Sequence, residues 1–222
     1  MKKIMILALA FVTQVTFAQV TKNIGDFNQV KVYDKLNVKL ISSSENKVII
    51  TGEREDEVEF VNKNGELKIR MPFPKLLSGT DISIKLYYKN IESISASEGS
   101  LVSSEDVFKQ TIMDLNSREG SEINLQLDVQ KVNVKAVTGG KVVLSGKAIN
   151  QDVVIMSGGV LESRDLHSSQ TTITVSAGGN AEIYATTLVD AKVKAGGFIY
   201  VYGNPKQINK ETLLGGKIIE KN

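Results

Sequence analysis

Four residues suited to acid–base work stand within one short stretch, LESRDLHSSQ: Glu162, Arg164, Asp165 and His167, the last being the only histidine in the chain. Carboxylates beside an arginine and a histidine are the equipment of a polysaccharide lyase or hydrolase. There a carboxyl protonates the leaving group, or carboxylates hold Ca²⁺ on one face. The plainer reading is a polar connection between two buried positions, Leu161 and Ile173, and it is the preferred one. Metal chemistry has little to work with, since one histidine without any cysteine cannot build a zinc site unaided. No calcium-binding GGxGxD array occurs. The glycine-rich segments also lack the Lys-Ser/Thr and the following helix of a phosphate loop, and no GxGxxG opens a helix. No metal and no cofactor are expected.

A second constellation is aromatic. The chain has six tyrosines and seven phenylalanines, and three aromatics alternate in FIYVY, at Phe198, Tyr200 and Tyr202. If Ile199 and Val201 point inward, these three share the outer face of a strand. In a stacked repeat Tyr184 falls in the column of Tyr202, so their rings are expected to stack. Glu182 then lies beside Tyr200 and Asn180 beside Phe198. Rings edged by carboxylate and amide suit a sugar or protein surface. The same ladder also fits simple bracing of neighbouring strands, or a face covered in an oligomer.

The repeat that would stack them is written in glycine. SEGSLVS, REGSEINL, TGGKVVL, SGGVLES, AGGNAEIY, AGGFIYV and LGGKIIE place Gly99, Gly120, Gly140, Gly159, Gly179, Gly197 and Gly216 at spacings of 21, 20, 19, 20, 18 and 19 residues. Self-similarity at such a period is a solenoid signature. Two residues after the glycine come Leu101, Val142, Leu161, Ala181, Ile199 and Ile218. Two before come the small residues Ser97, Thr138, Ser157, Ala177 and Ala195, and four before come Ala136, Ile155, Val175 and Val193. Apolar or small residues at even positions predict strands with one buried face. The Gly120 copy departs, with Glu122 at the apolar position and Ile123 and Leu125 shifted by one, which predicts a bulge there.

Segments rich in Val, Ile and Thr and punctuated by turn residues leave little support for helix. The fold class expected is all-β: a right-handed parallel β-helix, a single-stranded solenoid with coils of about 20 residues. About ten such coils, stacked at roughly 4.8 Å, would make a rod on the order of 45–50 Å long. Each glycine marks a corner, where the chain needs a residue without Cβ that tolerates positive φ or close approach of the next coil.

Before Gly99 the repeat fades while alternation continues, at Val30 and Val32, Leu36, Val38 and Leu40, Val48 and Ile50, Leu67, Ile69 and Met71, and Ile82, Ile84 and Leu86. Residues 27–95 therefore read as less regular strands and a cap, with MPFPKLLSGT, which holds two of the three prolines, as the clearest loop. Residues 96–222 read as regular glycine-cornered coils, and 19–222 as a single β-helix domain. The closing LLGGKIIEKN has no obvious cap beyond its charges, which favours a homo-oligomer formed through an end or a side face.

The opening MKKIMILALAFVTQVTFAQ has a basic start, a short apolar run and the small residue Ala18, the layout of a signal peptide over residues 1–18. Cleavage there would leave 204 of the 222 residues, and removing Lys2 and Lys3 would leave 25 basic residues against 25 acidic ones. A neutral mature chain is not built for nucleic acid or anionic membrane. No later apolar run reaches membrane-spanning length, and the absence of cysteine excludes disulfides. The expectation is an exported protein of the periplasm, cell surface or extracellular space.

DFNQVKVYDKLNVKL, the KIRM and DISIKLYY pair, the serial (S/T/A)GG coils and the closing YGNPKQINKETLLGG together resemble one family. It is the exported bacterial proteins called auto-transporter adhesin, head GIN domain, over roughly Phe27 to Ile219. The resemblance implies a parallel β-helix and an adhesin-like role, and it brings no catalytic residues. The expected function is a non-catalytic envelope or surface protein that presents a β-helix face to a glycan or protein partner through Phe198, Tyr200, Tyr202, Tyr184 and Glu182. A carbohydrate-active lyase or hydrolase built on Glu162, Arg164, Asp165 and His167 is the alternative.

Overall fold

The computed structural model describes residues 20–52 and 54–221; the leader expected over residues 1–18 lies outside them. Eight short strands come first: β1 (Val20–Asn23), β2 (Gln29–Val32), β3 (Asn37–Ser42), β4 (Lys47–Thr51), β5 (Glu59–Lys63), β6 (Glu66–Arg70), β7 (Ser83–Tyr88) and β8 (Ser93–Ala96). Five long ones follow, each running most of the way round a coil: β9 (Leu101–Arg118), β10 (Glu122–Val137), β11 (Lys141–Met156), β12 (Val160–Val175) and β13 (Asn180–Val193). The last are β14 (Phe198–Tyr202), β15 (Gln207–Thr212) and β16 (Lys217–Glu220). From β9 onward all pairing is parallel, each coil lying on the one before. The fold is the parallel β-solenoid expected, with about seven turns and coils about 19 residues apart.

Seven turns rather than ten fit because much of the first third is spent on a cap. There β1 pairs antiparallel with β4, β4 with β7 and β5 with β6. Spatial order also departs from chain order. The coil of β2 and β3 lies between that of β6 and β7 and that of β8 and β9. A chain that visits its coils out of order cannot show an even repeat, which is why periodicity fades before Gly99.

The period-2 pattern becomes columns of inward side chains. One runs Ile84, Val38, Val102, Ile123, Val142, Leu161, Ala181 and Ile199, all buried, and ends on the partly buried Ile218. Each fully buried aliphatic side chain in it contributes about 1.5–3 kcal/mol through area removed from water. Valine and isoleucine suit the position because their branched Cβ packs on the pleat.

The corners correct the sequence frame by one residue in two coils. Glu122 pairs with both Leu101 and Lys141, so Ser100 and Ser121, rather than Gly99 and Gly120, match Gly140, Gly159 and Gly179. In that frame Val102 and Ile123 are the inward residues, Leu101 is half-buried, and no bulge is needed at Gly120. The irregularity lies further on, between Asn124 and Gln126, where β9 carries extra residues around Ser104–Asp106. The hydroxyl of Ser104 and the carboxylate of Asp106 tie that excess to β3, through Leu40 O and Ser42 N.

The corners from Glu98 to Gly179 are tight turns whose two central residues are left-handed, as in Thr138 (φ 50°) and Gly139 (φ 72°), closed by Gly140 N donating to Val137 O at 2.9 Å; at the next corner the left-handed pair is Gly196 (φ 67°) and Gly197 (φ 111°). Thr138, Ser157 and Ala177 are therefore exposed turn residues, not inward ones, and Ala195 is exposed as well. The turns also bond to each other: Gly99 N, Gly120 N, Gly139 N and Gly158 N donate to Glu119 O, Thr138 O, Ser157 O and Ala177 O in the next coil.

One corner has no glycine. Tyr33 to Leu36 makes the same turn with Asp34 (φ 62°) and Lys35 (φ 60°) in its centre, and Lys35 N donates to Glu98 O. Burial, and then the charge of Asp34, raise the carboxyl pKa of Glu98 above the ordinary range. A raised folded-state pKa means the folded protein holds that proton more tightly than the unfolded chain. The stability it represents is present below the ordinary carboxylate pKa and lost as pH rises. Glu98→Gln is thus expected to raise the melting temperature by about 1–2 °C at pH 7 and to leave it unchanged in acid below the carboxylate range. Melting curves of the two proteins across pH check this.

Candidate functional site

The aromatic stretch sits where β12, β13, β14 and β16 present their outer faces. Register fixes who stands beside whom: Asn180, Phe198 and Lys217 share one column, Glu162, Glu182, Tyr200 and Ile219 the next, and Tyr184 pairs with Tyr202. Ile199 and Val201 are buried, so alternation turns Phe198, Tyr200 and Tyr202 outward. Phe198 is 42% exposed, while Tyr184, Tyr200, Tyr202 and Glu182 are half-buried.

The rings take partners other than those the columns suggest. Tyr184 stacks on His167, with centroids 4.3 Å apart and planes at 14°, rather than on Tyr202. A Cβ on Gly203 would come within 2.9 Å of the Tyr184 ring, so Tyr184 is held between the imidazole and a bare stretch of backbone. Tyr202 instead lies under Arg164, whose guanidinium carbon is 4.6 Å from the ring centre. Tyr200 stacks on Phe198 at 6.2 Å, and Lys221 Nζ stands 5.4 Å over it. Each exposed cation–π contact contributes about 0.5–1 kcal/mol, and each stacked pair about 0.5–1.5 kcal/mol beyond its burial.

The two constellations of the sequence are therefore one surface. Arg164 and His167 cover two of the tyrosines, and Glu162 is paired with Lys141 at 3.0 Å, an ion pair that raises the lysine pKa. Asp165 stands exposed on the same strand, beside Ser145. Three of the four residues offered for acid–base work are thus engaged with neighbours. Among the described residues no group of three or more His, Asp or Glu is placed to hold a metal ion. What the arrangement offers chemically is apolar ring area bordered by Arg, Lys, Glu and Asn. Knowing only that Tyr184 and His167 sit one coil apart would have found their stacking; the uneven spacing of this coil hid it.

A family model described as "Putative auto-transporter adhesin, head GIN domain" matches residues 26–205. Among solved structures, the chain is similar to a putative adhesin from Bacteroides fragilis at 20% identity and a TM-score of 0.83, over 94% of this chain and 98% of that one. A putative adhesin from Parabacteroides distasonis gives 21% identity and a TM-score of 0.77, over 92% and 97%. A protein from the same species described as a putative lipid binding protein gives 16% and 0.69, over 92% and 96%. These likenesses are likenesses of fold. No curated protein matches the chain. Among the described residues no helix is long and apolar enough to cross a membrane.

Proposed function

The chain belongs to the family described as putative auto-transporter adhesin, head GIN domain, and from that premise we propose that it is an exported, adhesin-like binding protein of the cell envelope or surface. It works without turnover, by presenting the face of Phe198, Tyr200, Tyr202 and Tyr184, with Glu182 at its edge, to a glycan or protein partner. The observation that carries this reading is the support beneath the rings. Tyr184 is fixed between His167 and Gly203, and Tyr202 lies under Arg164. Rigid, amphipathic aromatic surface loses little entropy on binding, which is what contact sites use. Of the residues that would serve a lyase or hydrolase, Arg164 and His167 are occupied in this support and Glu162 is paired with Lys141, which leaves Asp165 alone, so the catalytic alternative gains nothing from the geometry.

The test pairs a glycan array and surface-binding measurements on the chain from Gln19 onward with gel filtration coupled to light scattering. Tyr200→Ala is expected to weaken binding by about tenfold or more, the loss typical of an aromatic anchor, while the protein stays the same species in solution. The reading fails if Tyr200→Ala binds like wild type. It fails equally if wild type is an oligomer that Tyr200→Ala reduces to monomer, because the face is then an assembly surface.

A further inference from the structure

Around the glycine corner from the aromatic face, the outer surfaces of β9 to β12 form an open trough of about 500 Å³. Register lines it with two columns that run along the solenoid axis. One is Asp114, Asn133, Asp152 and Thr172; the other holds Asn116, Lys135 and Val154. Successive members are one coil apart, roughly 4.8 Å, so carboxylate, amide, carboxylate and hydroxyl follow one another in a straight line. Asn133 Nδ2 donates to Asp114 Oδ1 at 2.7 Å, and Lys131 holds Asp152 from the flank at 2.6 Å. Those contacts fix the side chains and leave further carboxylate and amide oxygens free to accept. Val154, 41% exposed, is the apolar point among them.

We propose that this trough is a second binding site, independent of the aromatic face, and that it takes an extended, uncharged polysaccharide lying along the solenoid axis. A sugar residue in an extended chain advances by a distance close to one coil, so a repeating chain of hydroxyls meets a repeating chain of acceptors. The carboxylates take hydroxyl donors, Asn133 takes either sense, and Val154 receives the C–H face of one ring. Other occupants fit less well. Lys131 on Asp152 and Lys135 in the second column offset the two carboxylates, so a phosphate backbone or an acidic glycan gains no net attraction there. An extended peptide seeks a free strand edge, and β9 to β12, which line the trough, are each paired on both sides.

The experiment is titration of the chain from Gln19 onward with neutral cello-, manno- and xylo-oligosaccharides of two to six residues, followed by amide NMR shifts, with an oligogalacturonate as the acidic probe. At least one neutral series is expected to shift the amides of residues 114–116, 133–135 and 152–154, with affinity rising with chain length. Val154→Lys, an exposed substitution that should leave the melting temperature unchanged, is expected to weaken that binding about tenfold or more. The proposal is overturned if no neutral series moves those amides, if the shifts fall instead on residues 182–184 and 198–202, if Val154→Lys binds as wild type does, or if the acidic probe binds as tightly as the neutral ones. Failure at the trough leaves the aromatic face to its own test, since the two sets of amides are separate.

Discussion

Gly159→Ala is expected to lower the melting temperature by about 6–12 °C, which for a protein of this size corresponds to about 3 kcal/mol. Gly159 does not have positive φ, so conformational freedom is not the reason. A Cβ placed there would stand 2.2 Å from Ala136 O, 2.6 Å from Ala136 C and 3.1 Å from Val137 N. Those atoms are backbone of the coil below, locked into the inter-coil ladder, and they cannot swing aside as a flexible side chain would. Relief requires the stack to open at that corner and the β11–β12 register beside it to stretch.

The neighbouring glycine supplies the control. Gly158 has φ 73° but open space where its Cβ would be. Gly158→Ala therefore bears only the left-handed strain, about 1–2 kcal/mol, and a correspondingly smaller fall in melting temperature. Equal losses at the two positions in thermal or urea unfolding would sink the close-approach account. Gly140 repeats the geometry, 2.2 Å from Ser117 O, so Gly140→Ala should behave like Gly159→Ala.

The same lattice position explains how far the sequence could be read. One coil below Gly140 it is Ser121, and below that Ser100. Their hydroxyls donate to Ala96 O at 2.7 Å and Val32 O at 3.1 Å, bonding the carbonyl that a Cβ would strike in the later coils. Glu-Gly-Ser and Thr-Gly-Gly are thus one motif written in two ways. Aligning them on their last glycine shifts two coils by one residue and creates a bulge that is not there. The alternation itself was legible, because Val142, Leu161, Ala181 and Ile199 obey a simple rule of burial. The corner at Asp34 and Lys35 was not, because it contains no glycine to count. Nor was the trough, whose Asp114, Asn133, Asp152 and Thr172 look like ordinary surface residues until the exact frame places them in one column.

Asp34 is where that unmarked corner does most for the fold. Its carboxylate is 1% exposed and accepts two backbone amides, Met71 N on Oδ2 and Leu77 N on Oδ1, each at 2.9 Å. Its carbonyl accepts a third, Gly79 N, at 3.0 Å. The proline-containing loop thus hangs from one side chain at the turn between β2 and β3. Asp34→Ala removes both acceptors and leaves the enclosed Met71 N–H unpaired, costing about 1–3 kcal/mol, and frees the partly enclosed Leu77 N–H besides. It also puts alanine at φ 62°, a conformation that aspartate tolerates better. The expected loss is about 3 kcal/mol or more, with the loop released before the solenoid melts. Limited trypsin digestion should cut first at Lys75 in the variant and not in wild type, and thermal unfolding should shift down by about 6 °C or more. Asp34→Asn separates the two contributions: it keeps one amide oxygen as an acceptor and retains tolerance of the left-handed turn, so its loss should fall between wild type and alanine. If Asp34→Ala resists trypsin at Lys75 and melts as wild type does, the loop is held by its own packing, and the carboxylate is a passenger at the corner.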